Sequence, residues 1–145
     1  NALFHMTTRE DFLKIFQIDF LGQMLLSQPI TRRMMKQRFG KVINISSFIG
    51  MEGNRGQIAY SAAKGAMIAA TKTMAKEMKD YGITINVVCP SVIDTDMTKS
   101  LTDEQKEDLL TSGNFSEIIS PKNIADILVF LSSDYISTTG QIYSI

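Results

Sequence analysis

Two short β-branched runs, Lys41–Ser46 (KVINIS) and Ile83–Cys89 (ITINVVC), stand on either side of a long helical pattern, and this alternation constrains the fold most. Continuous apolar runs of this kind mark strands that are covered on both faces. A strand, a crossover helix and a second strand make a parallel unit, with helices lying over the sheet.

The rest of the chain fits around that unit. Thr7-Thr8-Arg9-Glu10 has capping-box spacing, with Thr7 as N-cap, and opens a helical pattern from about Arg9 to Arg38. Pro29 inside it is expected to kink the helix, and Gly40 to stop it. Gly50–Gly56 reads as a Gly-rich loop before a helix from about Ala59 to Tyr81, which Gly82 ends. A polar, helix-prone segment spans Met97–Thr111. Beyond it, Pro121–Ser133 has Pro at the helix start and apolar Ile124, Ile127, Leu128 and Leu131 at helical spacing. Gln141–Ile145 alternates like a last strand. The fold class is therefore α/β: a partial, Rossmann-like doubly wound parallel sheet of which only the later strands and helices are present. Residues 1–145 read as a single domain, with no repeat or linker. The chain opens without Met and stops on a strand pattern, so it is expected to be part of a longer one.

Composition removes several function classes. Fifteen Lys and Arg balance fifteen Asp and Glu, which argues against nucleic acid as a partner. No apolar run approaches a bilayer span and no signal-peptide pattern opens the chain, so neither a membrane partner nor export is expected. One Cys, Cys89, leaves no internal disulfide and fits a reducing, cytoplasmic setting. With His5 the only histidine, His-based triads and metal sites are not expected.

Chemistry concentrates in Ser46-Ser47, Tyr60 and Lys64. Tyr60 and Lys64 are one turn apart on one helix face. An ammonium there favours the phenolate, so the spacing predicts a lowered Tyr60 pKa and a side chain able to exchange a proton with an alcohol or carbonyl oxygen. Ser47 follows a buried strand, at the carboxyl edge where parallel sheets place ligands. Spacing alone also allows blander readings: a surface Tyr/Lys pair and a Ser-Ser turn.

Ser47 followed by Tyr60-Ser-Ala-Ala-Lys64 resembles the active-site signature of the short-chain dehydrogenase/reductase family. Asn44-Ile-Ser-Ser47, Asn86-Val-Val-Cys-Pro90-Ser-Val-Ile-Asp-Thr95 and Thr139-Gly140-Gln141 resemble further motifs of that family. Asn1-Ala-Leu-Phe resembles the segment just after its Asn-Asn-Ala-Gly motif. Among subfamilies the chain is most similar to the 3-oxoacyl-(acyl-carrier-protein) reductases, on Gly56-Gln57, Thr71-Lys72, Ala75-Lys76-Glu77 and Asp94-Thr-Asp-Met97.

The resemblance implies an NAD(P)H-dependent carbonyl reductase acting on 3-oxoacyl thioesters in fatty acid synthesis. Tyr60 is then the general acid, Ser47 positions the carbonyl, and Lys64 lowers the Tyr60 pKa and bonds the nicotinamide ribose. Thr95, with the backbone near Ile93, holds the carboxamide, and Pro90 shapes the turn over the ring. Thr95 reads equally as a helix cap before Met97. The resemblance further implies NADP ahead of NAD, a small-molecule or carrier-protein-bound substrate, and a homodimer or homotetramer through the Ala- and Met-rich Tyr60 helix and the one before it. Met97 to Phe115 resembles the family's substrate lid. The alternatives are a dehydrogenase of another secondary alcohol, or a non-catalytic fragment that keeps the oligomer helices.

Three departures from the family stand out. Asp19 falls where the family has an asparagine that anchors a water in its proton relay. It shares a helix face with Phe12, Ile15 and Phe16, which predicts burial; it can hold that water, pair with Lys64, or be a satisfied core carboxylate. Ser91 replaces a usual Gly, which is tolerable only where the backbone needs no positive φ. No Gly-x-x-x-Gly-x-Gly run for a pyrophosphate occurs in these residues.

Overall fold

β2 (Ile83–Cys89) forms the middle of a three-stranded parallel sheet, between β1 (Gly40–Ile45) and β3 (Ile142–Ser144), in a computed structural model that describes residues 2–113 and 115–145. The side chains of Met97 and Ser112 are not among the described features, and Asn1, named above for its motif, lies outside the described residues. β1 and β2 pair from Gly40↔Ile83 to Ile45↔Val88, and β3 joins at Val87↔Ile142. The pairing continues past the strand ends: Ser46 N–H donates to the Val88 carbonyl (2.8 Å) and Phe48 N–H to that of Pro90 (3.0 Å). These bonds fix the chain on both sides of Ser47.

Five of the seven residues of β2 are hydrophobic, and six of the seven are buried. Alternate residues pack toward the crossover helix α4 (Ile58–Met78): Val87 and Cys89 cluster with Ile68, and Ile83 and Ile85 with Ala75. Met34, Met35, Met74 and Met78 fill the margin of the second cluster, where unbranched side chains suit an irregular gap. Asn86 sits in this apolar strand because its amide is bonded at both ends. Nδ2 donates to the Thr138 carbonyl (2.9 Å) and Oδ1 accepts from Gln141 N–H (3.0 Å), which tethers β3.

Before the sheet, α1 (Arg9–Phe16), a π-helical segment (Gln17–Leu21) and α2 (Gly22–Gln37) follow one another without a break. The capping box is one residue later than expected. Thr8 Oγ1 accepts from Asp11 N–H (3.1 Å) and Asp11 Oδ2 accepts from Thr8 N–H (3.0 Å). Thr7 instead turns its hydroxyl back to the Leu3 carbonyl (3.1 Å), beside the 3-10 turn at Phe4–Met6. Pro29 lies inside α2, and a π-helical stretch at Gln17–Leu21, not expected from the sequence, precedes it. Arg38, in the left-handed region (φ 53°), ends the helix, so Gly40 is the first residue of β1 and not the stop. Its missing Cβ lets the strand start against the Met34 side chain.

After β1, part of the expected Gly-rich loop is a short helix, α3 (Ile49–Glu52). The expected Met97–Thr111 helix is two pieces, α5 (Asp96–Lys99) and α6 (Asp103–Ser112), because Thr102 and Gln105 form a new capping box. α7 (Pro121–Ser132) starts at Pro121 behind the Ser120 cap, and Ile124 and Leu131 bury its apolar face. Lys41 Nζ donates to the Ser133 and Ile136 carbonyls (2.6 and 2.7 Å), fastening the chain beyond α7 to β1. No helix among the described residues is long and apolar enough to cross a membrane.

Candidate active site

The carboxyl edge of the sheet gathers the reactive side chains. Ser47 follows β1 and is buried; its Oγ accepts from Ile49 N–H (3.3 Å), which orients the hydroxyl at the start of α3. Tyr60 and Lys64 project from the first turns of α4, with Lys64 Nζ 5.6 Å from the Tyr60 ring centroid. That is the expected face. Ser46 Oγ donates to the Lys64 carbonyl (2.8 Å) and so ties the end of β1 to this turn of α4.

Close backbone approach sets the other side. An added Cβ at Gly50 would come within 2.7 Å of the Lys64 carbonyl carbon. α3 and α4 touch here because Gly50 and Gly65 face one another without side chains, one at 3.2 Å from the other's carbonyl oxygen if a Cβ were built on Gly65. Sequence reading placed Gly50 in a loop and missed this role; no spacing rule marks it, since the contact joins separate elements.

Asp19 comes from the π-helical segment. Its Oδ1 lies 3.3 Å from Lys64 Nζ, so the pairing anticipated as one option is present. The side chain is 27% exposed and not buried as the helix-face pattern predicts, because the π turn places it at the rim of the site. Its backbone carbonyl accepts from Gln23 Nε2 (3.2 Å).

This pairing corrects the electrostatic expectation. Burial pushes the Tyr60 phenol above its ordinary value of 10.0; hydrogen bonding with Ser47 pulls it back, and the Asp19 carboxylate raises it further. The net shift is upward, against the lowering that the Tyr60–Lys64 spacing predicts, and the Lys64 ammonium lies on Asp19. The neighbouring Cys89 thiol is also raised by burial, against hydrogen bonding with Ser46 and Ser47.

The remaining candidates lie along the segment that leaves β2. Pro90 closes β2 and accepts from Phe48 N–H, which places it beside Ser47. Ser91 does not have positive φ, so its replacement of Gly carries no backbone strain. Its N–H donates to the Ile145 carbonyl (2.6 Å), while its buried Oγ has no hydrogen-bond partner. The Ile93 carbonyl accepts from the Thr98 hydroxyl (2.6 Å). Thr95 is exposed and is the N-cap residue of α5; its N–H donates to Thr98 Oγ1 (2.7 Å). The structure thus brings Ser47, Tyr60, Lys64 and Asp19 together, with Pro90 adjoining and Ile93 and Thr95 farther along.

Apolar walls enclose part of this edge. Phe48, Ile49 and Val92 form a buried cluster against which Tyr60, Leu109, Leu110, Phe115 and Ile118 pack. Phe48 and Phe115 meet edge-on with ring centroids 5.0 Å apart. The segment read as a lid therefore packs on Phe48 and its cluster. On the other flank, Asp11, Ile15, Gln57 and Tyr60 help to line a cleft of about 320 Å³. A buried serine, a tyrosine and an ammonium beside an apolar cover can position a polar oxygen and move one proton to or from it.

Comparison with known proteins gives the family of the chain. Residues 1–106 match the family described as short chain dehydrogenase. The 3-oxoacyl-(acyl-carrier-protein) reductase FabG of Haemophilus influenzae is 44% identical over 125 residues, covering 86% of this chain and 52% of that protein. The enzyme of the same name from Aquifex aeolicus is 35% identical over 143 residues, 98% of this chain and 58% of the relative. That from Escherichia coli K12 is 38% identical over 125 residues, 86% of this chain and 51% of the relative. The chain spans about half the length of these curated relatives.

Proposed function

The chain belongs to the short chain dehydrogenase family, and from that premise we propose that it carries the proton-transfer site of an NAD(P)H-dependent carbonyl reductase acting on 3-oxoacyl thioesters. The observation that carries this reading is the meeting of Ser47, Tyr60 and Lys64 at the carboxyl edge of the sheet. In this reading the Tyr60 phenol gives its proton to the carbonyl oxygen of the substrate. The Ser47 hydroxyl donates a hydrogen bond to the same oxygen and polarises it. A phenol kept protonated by burial suits that donor role at neutral pH.

The nicotinamide end of the cofactor falls to Tyr60, Lys64, Pro90, Ile93 and Thr95. Support comes from Ser91, whose buried and unpartnered Oγ next to Pro90 offers a hydrogen bond to a group placed there. When bound, a reduced nicotinamide supplies the hydride for the carbonyl carbon. NADPH is taken ahead of NADH, and a carrier-protein-bound thioester as substrate, by likeness to the 3-oxoacyl reductases. A cytoplasmic homodimer or homotetramer completes the proposal. It is supported by Ile18, Leu21, Leu25, Leu26 and Ile30, which leave an apolar surface exposed on the helix before β1.

Fluorescence titration of the protein with NADPH and with NADH, followed by a 3-oxoacyl thioester assay, tests this reading. It expects NADPH to bind and to be oxidised when the thioester is added. Binding of neither dinucleotide would overturn it.

A further inference from the structure

Among the described residues, Asp19–Lys64 is the one ion pair that joins two separate elements; the other three lie within single helices. Lys64 is nearly buried, whereas Asp19 reaches it from the rim through the π turn. The ammonium is therefore held 3.3 Å from a carboxylate oxygen while the Tyr60 ring centroid lies 5.6 Å away. A positive charge compensated at that range offers little stabilisation to a phenolate, and the carboxylate itself opposes a second anion.

We propose that Asp19 is a positioning residue that holds the Lys64 ammonium on its own carboxylate and thereby keeps Tyr60 in the protonated, proton-donating form. This deepens the carbonyl-reductase reading and rests on it for its functional meaning. A neutral asparagine at this position would bring no charge to offset the Lys64 ammonium. With Asp19 the site is set for delivering a proton, and the reverse reaction, which needs the phenolate, is confined to more alkaline pH. The rise of the Tyr60 phenol caused in part by Asp19 agrees with this placement.

Other ionisable groups near the pair do not supply the same effect. Asp11 of α1 shares the cleft with Tyr60, but its carboxylate is bonded by the Thr8 N–H and hydroxyl (3.0 and 2.8 Å). The Cys89 thiol from β2 is held neutral by burial. Glu52 of α3 is exposed, and the residues from α6 and beyond that share the Phe48–Ile49–Val92 cluster with Tyr60 are Leu109, Leu110, Phe115 and Ile118, none of them ionisable.

The test is a phenol titration by ultraviolet difference absorbance on the wild-type protein and on Asp19→Asn. Tyr60→Phe in each background isolates Tyr60 from the other three of the four tyrosines. The Tyr60 step is expected to move down by about one pH unit in Asp19→Asn and to stay at the wild-type pH in Asp19→Glu. A Tyr60 step at the wild-type pH in Asp19→Asn overturns the proposal. Since an unfolded chain would also release the phenol, a cooperative thermal melt is required of each variant; Asp19→Ser takes the place of Asp19→Asn if that variant lacks one. The titration needs no substrate or cofactor, so a protein that shows the shift but reduces no thioester would refute the reductase reading and leave the role of Asp19 standing.

Discussion

Ser46 Oγ donates a 2.8 Å hydrogen bond to the carbonyl of Lys64, joining the end of β1 to the turn of α4 that carries the lysine. Both groups are buried, and the bond fixes the height of α4 along the strand. Ser46→Ala removes this second bond from a carbonyl that α4 already engages through its own helical bonding and is expected to destabilise the fold by about 1 kcal/mol. A urea unfolding midpoint lowered at unchanged slope checks this; an unchanged midpoint would show that the bond contributes nothing.

Gly50 controls the same turn from the opposite side. A methyl there meets the Lys64 backbone at 2.7 Å, and backbone cannot swing aside as a flexible side chain does. Gly50→Ala is expected to cost about 2 kcal/mol and to displace Lys64 from Asp19. Thermal melting reads the first effect, and a changed pH dependence of the Tyr60 phenol reads the second.

Tyr60 also links stability to alkaline pH. Its phenol titrates above the ordinary 10.0 in the folded chain, so the folded state binds that proton more tightly than the unfolded state. Stability from this group is complete below pH 10 and is lost as pH rises past the ordinary value toward the raised one. Tyr60→Phe should flatten the alkaline limb of stability against pH. An identical limb in both proteins would contradict the burial of the phenol.

Much of the frame was legible because local pattern and tertiary role coincide. β2 is β-branched at five of its seven positions, and its bounds, Ile83–Cys89, match the sequence reading. α7 announces itself through Pro121 behind a Ser120 cap. The capping box was misplaced because Thr7 and Thr8 suit it equally by type, and only the reciprocal bonds between Thr8 and Asp11 decide between them. The π segment at Gln17–Leu21 leaves no mark in an apolar pattern read at α-helical spacing, so the exposure of Asp19 was misjudged. Spacing put Tyr60 and Lys64 on one helix face, and the resemblance to a family signature singled them out. The direction of the Tyr60 shift was not legible, because it depends on burial and on a carboxylate forty-one residues earlier in the chain.

The most direct measurement is the rate of NADPH-dependent reduction of a 3-oxoacyl thioester by the wild-type protein and by Tyr60→Phe, with NADPH affinity measured alongside. Removing the phenolic proton is expected to lower turnover by at least about 100-fold while cofactor affinity stays nearly unchanged. Wild-type turnover in Tyr60→Phe would contradict the assignment of Tyr60 as the proton donor.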